Sequence, residues 1–244
     1  MNSRSLFAFL ALLGAWPALA ADSKDSTIDN AIDVLDDLAG TPEKRIPPTM
    51  LRDAAAVIIA PDVVKVGFVV AVNHGHGVLL VRQKGGWSDP VFVTLTGGGV
   101  GWQAGVQSTD LFLVIRNARS LDRILRGAGK LTLGGDAAVT AGPIGRDVSA
   151  ATDAQLKAEI LSYSRSRGLF AGVSLEGGTM VVDHTANDRF YSAYKIAVAD
   201  IIAGKADAPK AAGSLRARLG DWSGDREEVL PPPAATIIPA AKKP

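Results

Sequence analysis

The sequence predicts an α+β domain: a strongly curved, mainly antiparallel β-barrel or sandwich-like sheet with flanking helices. Three observations carry this reading. The runs AAVIIAP, VVKVGFVVAV, HGVLLVRQ, PVFVTLTG and STDLFLVIRN follow one another from Ala54, β-branched or apolar, with Gly, Pro or Asn between them. Glycine is abundant, 26 residues of 244, while aromatic residues make up 6%, a mixture that suits short strands, tight turns and strong curvature. Helical periodicity is confined to short segments that break or flank the β runs.

The chain opens with the pattern of an export signal. Arg4 supplies the positive start, LFAFLALLGAW at 6–16 the apolar stretch, and ALA at 18–20 the small residues of a cleavage site. The apolar stretch is shorter than the ~20 residues that cross a bilayer, so residues 1–20 are expected to be removed and the mature chain to begin at Ala21. Residues 21–45 read as an acidic amphipathic helix and linker. In TIDNAIDVLDDLA, Ile28, Ile32, Leu35 and Leu38 share one face and Asp29, Asp33, Asp36 and Asp37 the other, with Ser26 or Thr27 as cap and Gly40 as stop. Pro47-Pro48 opens a brief helical turn into Arg52.

The domain itself spans 46–204. Its glycine pairs at 85–86 and 134–135 and the run Gly97-Gly98-Gly99 read as turns or bulges, and the glycines around His74 and His76 as a hairpin tip. SLDRILRGAGK, from Ser120, reads as a helix between strands. LTLGGDAAVTAG returns to β, as does SYSRSRGLFAGVSLEGG at 162–178. There Tyr163, Arg165 and Arg167 fall on one face and Ser162, Ser164 and Ser166 on the other, with a kink at Gly168. GTMVVDH pairs after the turn at Gly177-Gly178. NDRFYSAYKIAVADIIAG, 187–204, reads as one helix with Tyr191, Tyr194, Val198 and Ile201 or Ile202 on its apolar side and Asn187 or Asp188 as cap. The Ala/Pro-rich segment 205–244 is expected to be a disordered tail, with a helical turn or two in SLRARLGDW.

Composition narrows the function. The chain is 47% hydrophobic and 21% charged with a formal charge of +1, so it is globular, and anion binding requires a local patch rather than the overall basicity of a nucleic-acid binder. It has no cysteine, which removes disulfides, thiolate metal sites and a cysteine nucleophile. GGGVGWQA matches a dinucleotide fingerprint, but β sequence follows it instead of a helix. GAGKLT lacks the first glycine and the hydroxyl residue of a phosphate loop. His74 and His76 share a strand face, and with His184 would be a zinc set; at a hairpin tip they are ordinary exposed histidines. No G-x-S-x-G or acid/base constellation is visible. No cofactor, metal or catalytic residue is assigned, and the chain reads as a non-enzyme.

Two basic groups are candidates for lipid or anion binding. Arg116, Arg119, Arg123, Arg126 and Lys130 are spaced 3, 4, 3 and 4. On a helix starting near Ser120, Arg123, Arg126 and Lys130 share a face opposite Leu121, Ile124 and Leu125, a geometry for lying on an anionic membrane, or simply a solvated helix packed by its leucines. Arg165 and Arg167 form the second group; the competing expectation is that they pair across the sheet with carboxylates such as Glu176 or Asp183.

The order of these pieces resembles the SYLF domain family, found in yeast actin-patch proteins, a vertebrate phosphoinositide-binding adaptor, plant FYVE proteins and many exported bacterial proteins. The resemblance runs from about residue 46 to 195. It rests on AAVIIAPDVVKVGFVV, Gly75-x-Gly77 with VLLVR, GGWSDPVFVTLTGGGVGWQAGVQSTDLFLVI, LGGDAAVTAGPIGRD and SYSRSRGLFAGVSLEG, with Asn187 and Tyr191 downstream. It implies lipid binding, actin binding in the eukaryotic members, and no catalytic residues. Eukaryotic members carry a basic amphipathic N-terminal segment, whereas helix 27–39 here is acidic. With an export signal, phosphoinositides and actin are not expected targets. The expectation is an exported, periplasmic, lipid-binding protein associated with an envelope membrane, the partner being phospholipid or the membrane surface; the alternative is a structural or protein-interaction module of the envelope.

Overall fold

The computed structural model describes residues 24–40, 46–67, 70–100, 105–126, 130–143, 158–166, 169–172 and 177–224. Residues 1–20, expected from the sequence to be an export signal, lie outside them, as do Arg167, Glu176 and residues 225–244. The described elements are α1 (Lys24–Gly40), α2 (Pro48–Arg52), β1 (Ala56–Gly67), β2 (Val70–Gln83), β3 (Gly86–Trp87), β4 (Val91–Val100), β5 (Gly105–Ile115), α3 (Ala118–Arg126), β6 (Lys130–Thr132), β7 (Val139–Ala141), β8 (Ile160–Ser166), β9 (Leu169–Gly172), β10 (Thr179–Val182), α4 (His184–Phe190), α5 (Val198–Ile202) and α6 (Lys210–Ser223).

The strands form one curled sheet in the order β6-β10-β4-β2-β1-β5-β8-β7, with β3 added to β2 and β9 to β8. The described pairings are antiparallel except β7 with β8. The sheet is a half-barrel, as the alternating runs and glycine content predict. Its edge strands, β6 and β7, are consecutive in the chain. A tight turn joins them, in which Gly134 N–H donates to Ala137 O at 2.9 Å and Asp136 N–H to Thr132 O at 2.8 Å.

The curl has a local cause. Where β1 passes Pro61-Asp62 its register slips against both neighbours, and Asp62 adopts φ 51°, a left-handed conformation that aspartate tolerates better than most residues. Opposite this bulge, β2 presents Gly75 and Gly77. A Cβ on Gly75 would lie 2.7 Å from Val63 Cγ2, and one on Gly77 2.6 Å from Ile59 O. These glycines therefore mark close strand approach, not a turn, and His74 and His76 sit within a continuous strand rather than at a hairpin tip.

α1, α4 and α6 cover the convex face. The apolar stripe of α1 is buried as its spacing predicts, with Ile28 and Leu38 almost fully excluded from water. Its partner corrects one expectation. Residues 210–223 are not tail but a 14-residue helix, α6, with Ala212, Leu215, Leu219 and Trp222 buried against α1 and the sheet. Trp222 packs edge-on to Phe112 of β5 at 5.5 Å, and Trp87 of β3 donates to Ser223 Oγ at 3.1 Å. The average composition after Gly204 is tail-like; the 3-4-3 spacing of those four residues is that of a packed helix.

Segment 187–204 is also corrected. It is not one helix: α4 ends at Phe190 and α5 begins at Val198. Asp188 captures the N–H groups of Lys195 and Ile196, both at 2.9 Å, and Ser192 and Lys195 turn left-handed (φ 51° and 53°). Tyr191 is therefore buried while Tyr194 is 84% exposed. The cap of α4 is Asp183, accepting from Ala186 N–H at 2.9 Å. Asn187 lies inside the helix, fully buried, accepting from Phe92 N–H at 2.9 Å and donating to Phe92 O and Asp183 O. It joins α4 to β4 through backbone groups.

Candidate functional site

The concave face holds the candidate site. Residues from strands far apart in the sheet order, β10, β4, β2, β1, β5 and β8, line a single cavity of about 330 Å³. Registration orders its wall. Gly97, Asn73, Lys65 and Gln107 lie in one row across β4, β2, β1 and β5. This row is nearest the hairpin ends of the sheet and is polar. Deeper in, Val63 stands beside Thr109, and Leu111 beside Ser164. Val63, Leu95, Leu111 and Leu133 are buried and make the floor. Lys65 and Gln107 are exposed at the mouth, and no carboxylate among the described residues pairs with Lys65. Asn73 Oδ1 is buried without a hydrogen-bond partner among the described residues, an arrangement that costs about 1–3 kcal/mol unless something donates to it.

Sequence reasoning missed this cavity. Its signal was present, since the inward positions of these strands change toward the hairpin ends from Val and Leu to Lys, Asn, Gly and Gln. Which strands face one another across a curl is not readable from a single chain.

The structure distributes the predicted basic residues differently. The stripe on 120–130 does not form one helical face: α3 ends at Arg126, and Lys130 is the first residue of β6, beside Val181. Arg119 is exposed at the start of α3, and its backbone N–H donates to Asn117 Oδ1 at 2.9 Å. Arg123 is not without partners. Its guanidinium donates to Asp136 O and stands 3.8 Å from Glu159, whose carboxylate also accepts from Ser120 Oγ. The backbone of Arg126 belongs to α3, while its side chain lies outside the description.

Arg165 lies on the face predicted for it, beside buried Tyr163; the expected partner Glu176 lies outside the described residues, and the partners seen among them are on β5 and α1. Its Nε donates to Asp110 Oδ2 at 2.5 Å, and its other end pairs with Asp37 of α1. Asp110 Oδ1 in turn accepts from Asp62 N–H at 2.9 Å at the β1 bulge. Burial raises the carboxyl of Asp110 from its ordinary value, against the opposing hydrogen bond from Asp62, and lowers the guanidinium of Arg165, against the nearby charge of Asp33. The acidic face of α1 is thus a docking face: Asp37 meets Arg165, and Asp36 meets Arg218 of α6 at 2.6 Å. Arg165 ties α1 to the bulge that curls the sheet.

His74 and His76 stack edge-on at 5.2 Å, and His76 lies 4.0 Å from Asp183. Among the described residues no group of three His, Cys, Asp or Glu gathers as a metal site. No helix among them is long and apolar enough to cross a membrane.

A curled sheet clasped by its first and last described helices, with a cavity of about 330 Å³ on its concave face, defines the class: an α+β half-barrel domain. The family model described as "Ysc84: Las17-binding protein actin regulator" matches residues 96–221. The chain belongs to this family, the SYLF family. Its relatives include the SH3 domain-containing YSC84-like protein 1 of Xenopus laevis, 35% identical over 175 residues, which are 71% of this chain and 52% of the frog protein. The human protein of that name is 35% identical over 175 residues, 71% of this chain and 50% of its own length. LAS seventeen-binding protein 3 of Saccharomyces cerevisiae is 39% identical over 149 residues, 60% of this chain and 32% of the yeast protein. The chain spans about half the length of the animal relatives and a third of the yeast one. The yeast relative is named for binding, and none of the three names is that of a reaction. No solved structure matches the chain.

Proposed function

We propose that this chain is a non-enzymatic lipid-binding protein that is exported and works in the periplasm, associated peripherally with an envelope membrane. The observation that supports this most is the cavity: an apolar floor of Val63, Leu95, Leu111 and Leu133 beneath a polar mouth with a lysine. Its volume of about 330 Å³ is at the lower end of the ~300–1,000 Å³ of small-molecule pockets. Such a profile matches the two ends of an amphiphile. The apolar start of the chain supports export. Binding to a Las17-like or actin partner, as the family description names, is the competing function; the export pattern weighs against it.

Flotation of the purified mature chain with anionic and with neutral vesicles tests the reading. Co-flotation with either vesicle supports it. Failure to float with both, together with no lipid in an organic extract of the protein, overturns it in favour of a protein-interaction module. Intact mass of periplasmic protein tests export, with a mass beginning at Ala21 expected and a full-length chain contradicting it.

A further inference from the structure

The polar row at the cavity mouth says more about the ligand, on the reading that this protein binds lipid. The curled half-barrel leaves one cavity of about 330 Å³ on its concave face, room for one small ligand. Gly97 and Gly178 lie against each other in its wall, where a Cβ on Gly97 would stand 3.3 Å from Gly178 Cα, so the wall carries no side chain there. At about 330 Å³ the cavity suits a single acyl chain lying on Val63, Leu95, Leu111 and Leu133, and is too small for both chains of a two-chain lipid.

The head is specified by two groups that are neighbours in the row. Lys65, with no carboxylate partner among the described residues, calls for an anion. Asn73, paired with Lys65 in register, offers a buried acceptor oxygen with no donor. A fatty acid would satisfy the first and not the second. A monoacylglycerol would satisfy the second and not the first. We infer that the cavity holds one lysophospholipid, its acyl chain on the apolar floor, its phosphate on Lys65 and its free glycerol hydroxyl donating to Asn73 Oδ1.

The test uses the mature protein and four probes in titration calorimetry: 1-myristoyl lysophosphatidic acid, myristate and monomyristoylglycerol below their aggregation concentrations, and dimyristoyl phosphatidic acid as vesicles. Lysophosphatidic acid should bind one to one and more tightly than the other three. Lys65→Met should weaken it by about tenfold or more, the loss of a charge-assisted contact, while leaving monomyristoylglycerol unchanged. Asn73→Leu should weaken lysophosphatidic acid and monomyristoylglycerol but leave myristate unchanged. Thr109→Phe should close the cavity to all the single-chain probes, with thermal melts confirming that each variant is folded. Equal affinity for myristate and lysophosphatidic acid, or wild-type binding by folded Lys65→Met and Thr109→Phe, overturns the assignment. If the protein still floats with vesicles in that case, lipid binding stands and only its place in the cavity falls. If it neither floats nor binds any probe, both readings fall.

Discussion

Replacing Arg165 by methionine should be one of the most damaging single changes on the sheet, and its cost can be worked from its neighbours. The Arg165 side chain is 18% exposed and that of Asp110 is 10% exposed, so the pair is largely withdrawn from water. Removing one member of a buried pair costs about 3–5 kcal/mol because the other charge is stranded. Asp110 would keep the Asp62 N–H, which eases the loss, so about 3 kcal/mol is expected. Asp37, 58% exposed, adds less than about 1 kcal/mol. Asp110→Asn still accepts from Asp62 and no longer strands a charge. The double variant Arg165→Met/Asp110→Asn should therefore recover at least about 1.5 kcal/mol relative to the sum of the singles. Urea denaturation of the four proteins at neutral pH reads this directly. The reasoning fails if Arg165→Met loses under about 1 kcal/mol, or if it abolishes vesicle binding at unchanged stability, which would make the arginine a ligand contact.

Four further outcomes follow from the packing and from one carboxylate. Leu219→Ala should cost about 2–5 kcal/mol in the same assay, and a chain ending at Gly204, lacking α6, should lose the cooperative melt; an unchanged melt would show that α6 is dispensable. Asn187→Leu leaves the Phe92 N–H and carbonyl without their side-chain partner and should cost about 2–3 kcal/mol, with hydrogen exchange at Phe92 rising in step. Asp136 is held below the ordinary carboxylate range by hydrogen bonds from Thr132. Its contribution is present above the ordinary aspartate value and lost as pH falls through its lowered one. Asp136→Asn should thus lower stability at pH 6, with the gap to wild type closing toward pH 2; a gap that widens in acid refutes the argument.

The strands and α1 were legible because each is a local pattern. Alternation places Tyr163 and Arg165 on one face, and the stripe Ile28, Ile32, Leu35 and Leu38 names the buried side of α1. The misreadings share a cause: a distant partner decided the outcome. Gly75 and Gly77 look like turn residues until the β1 bulge is set against them. Asp188 looks like a cap until its carboxylate is seen holding the N–H groups of Lys195 and Ile196. The stripe at Leu215, Leu219 and Trp222 was masked by alanine- and proline-rich surroundings, and it is the face of α1 that makes it a core. The cavity was least legible of all, being a property of six strands at once. For Arg165, the sequence suggested a pairing role but could not name Asp110 or Asp37, 55 and 128 residues away.

The clasp between α1 and α6 also bears on when this protein can fold. About 180 residues separate the end of α1 from the end of α6, so at a synthesis rate of ~5–20 residues per second the apolar stripe of the first helix waits roughly 10–40 s for its final partner. During that interval the incomplete chain has a sticky helix and no finished convex face, and its carboxylates, Asp36 and Asp37, keep that helix in water until Arg165 and Arg218 arrive to collect them. A chain that cannot finish its core before its last helix is made stays extensible throughout synthesis. On the export proposed above, a chain threaded through a membrane before it folds would gain from that delay.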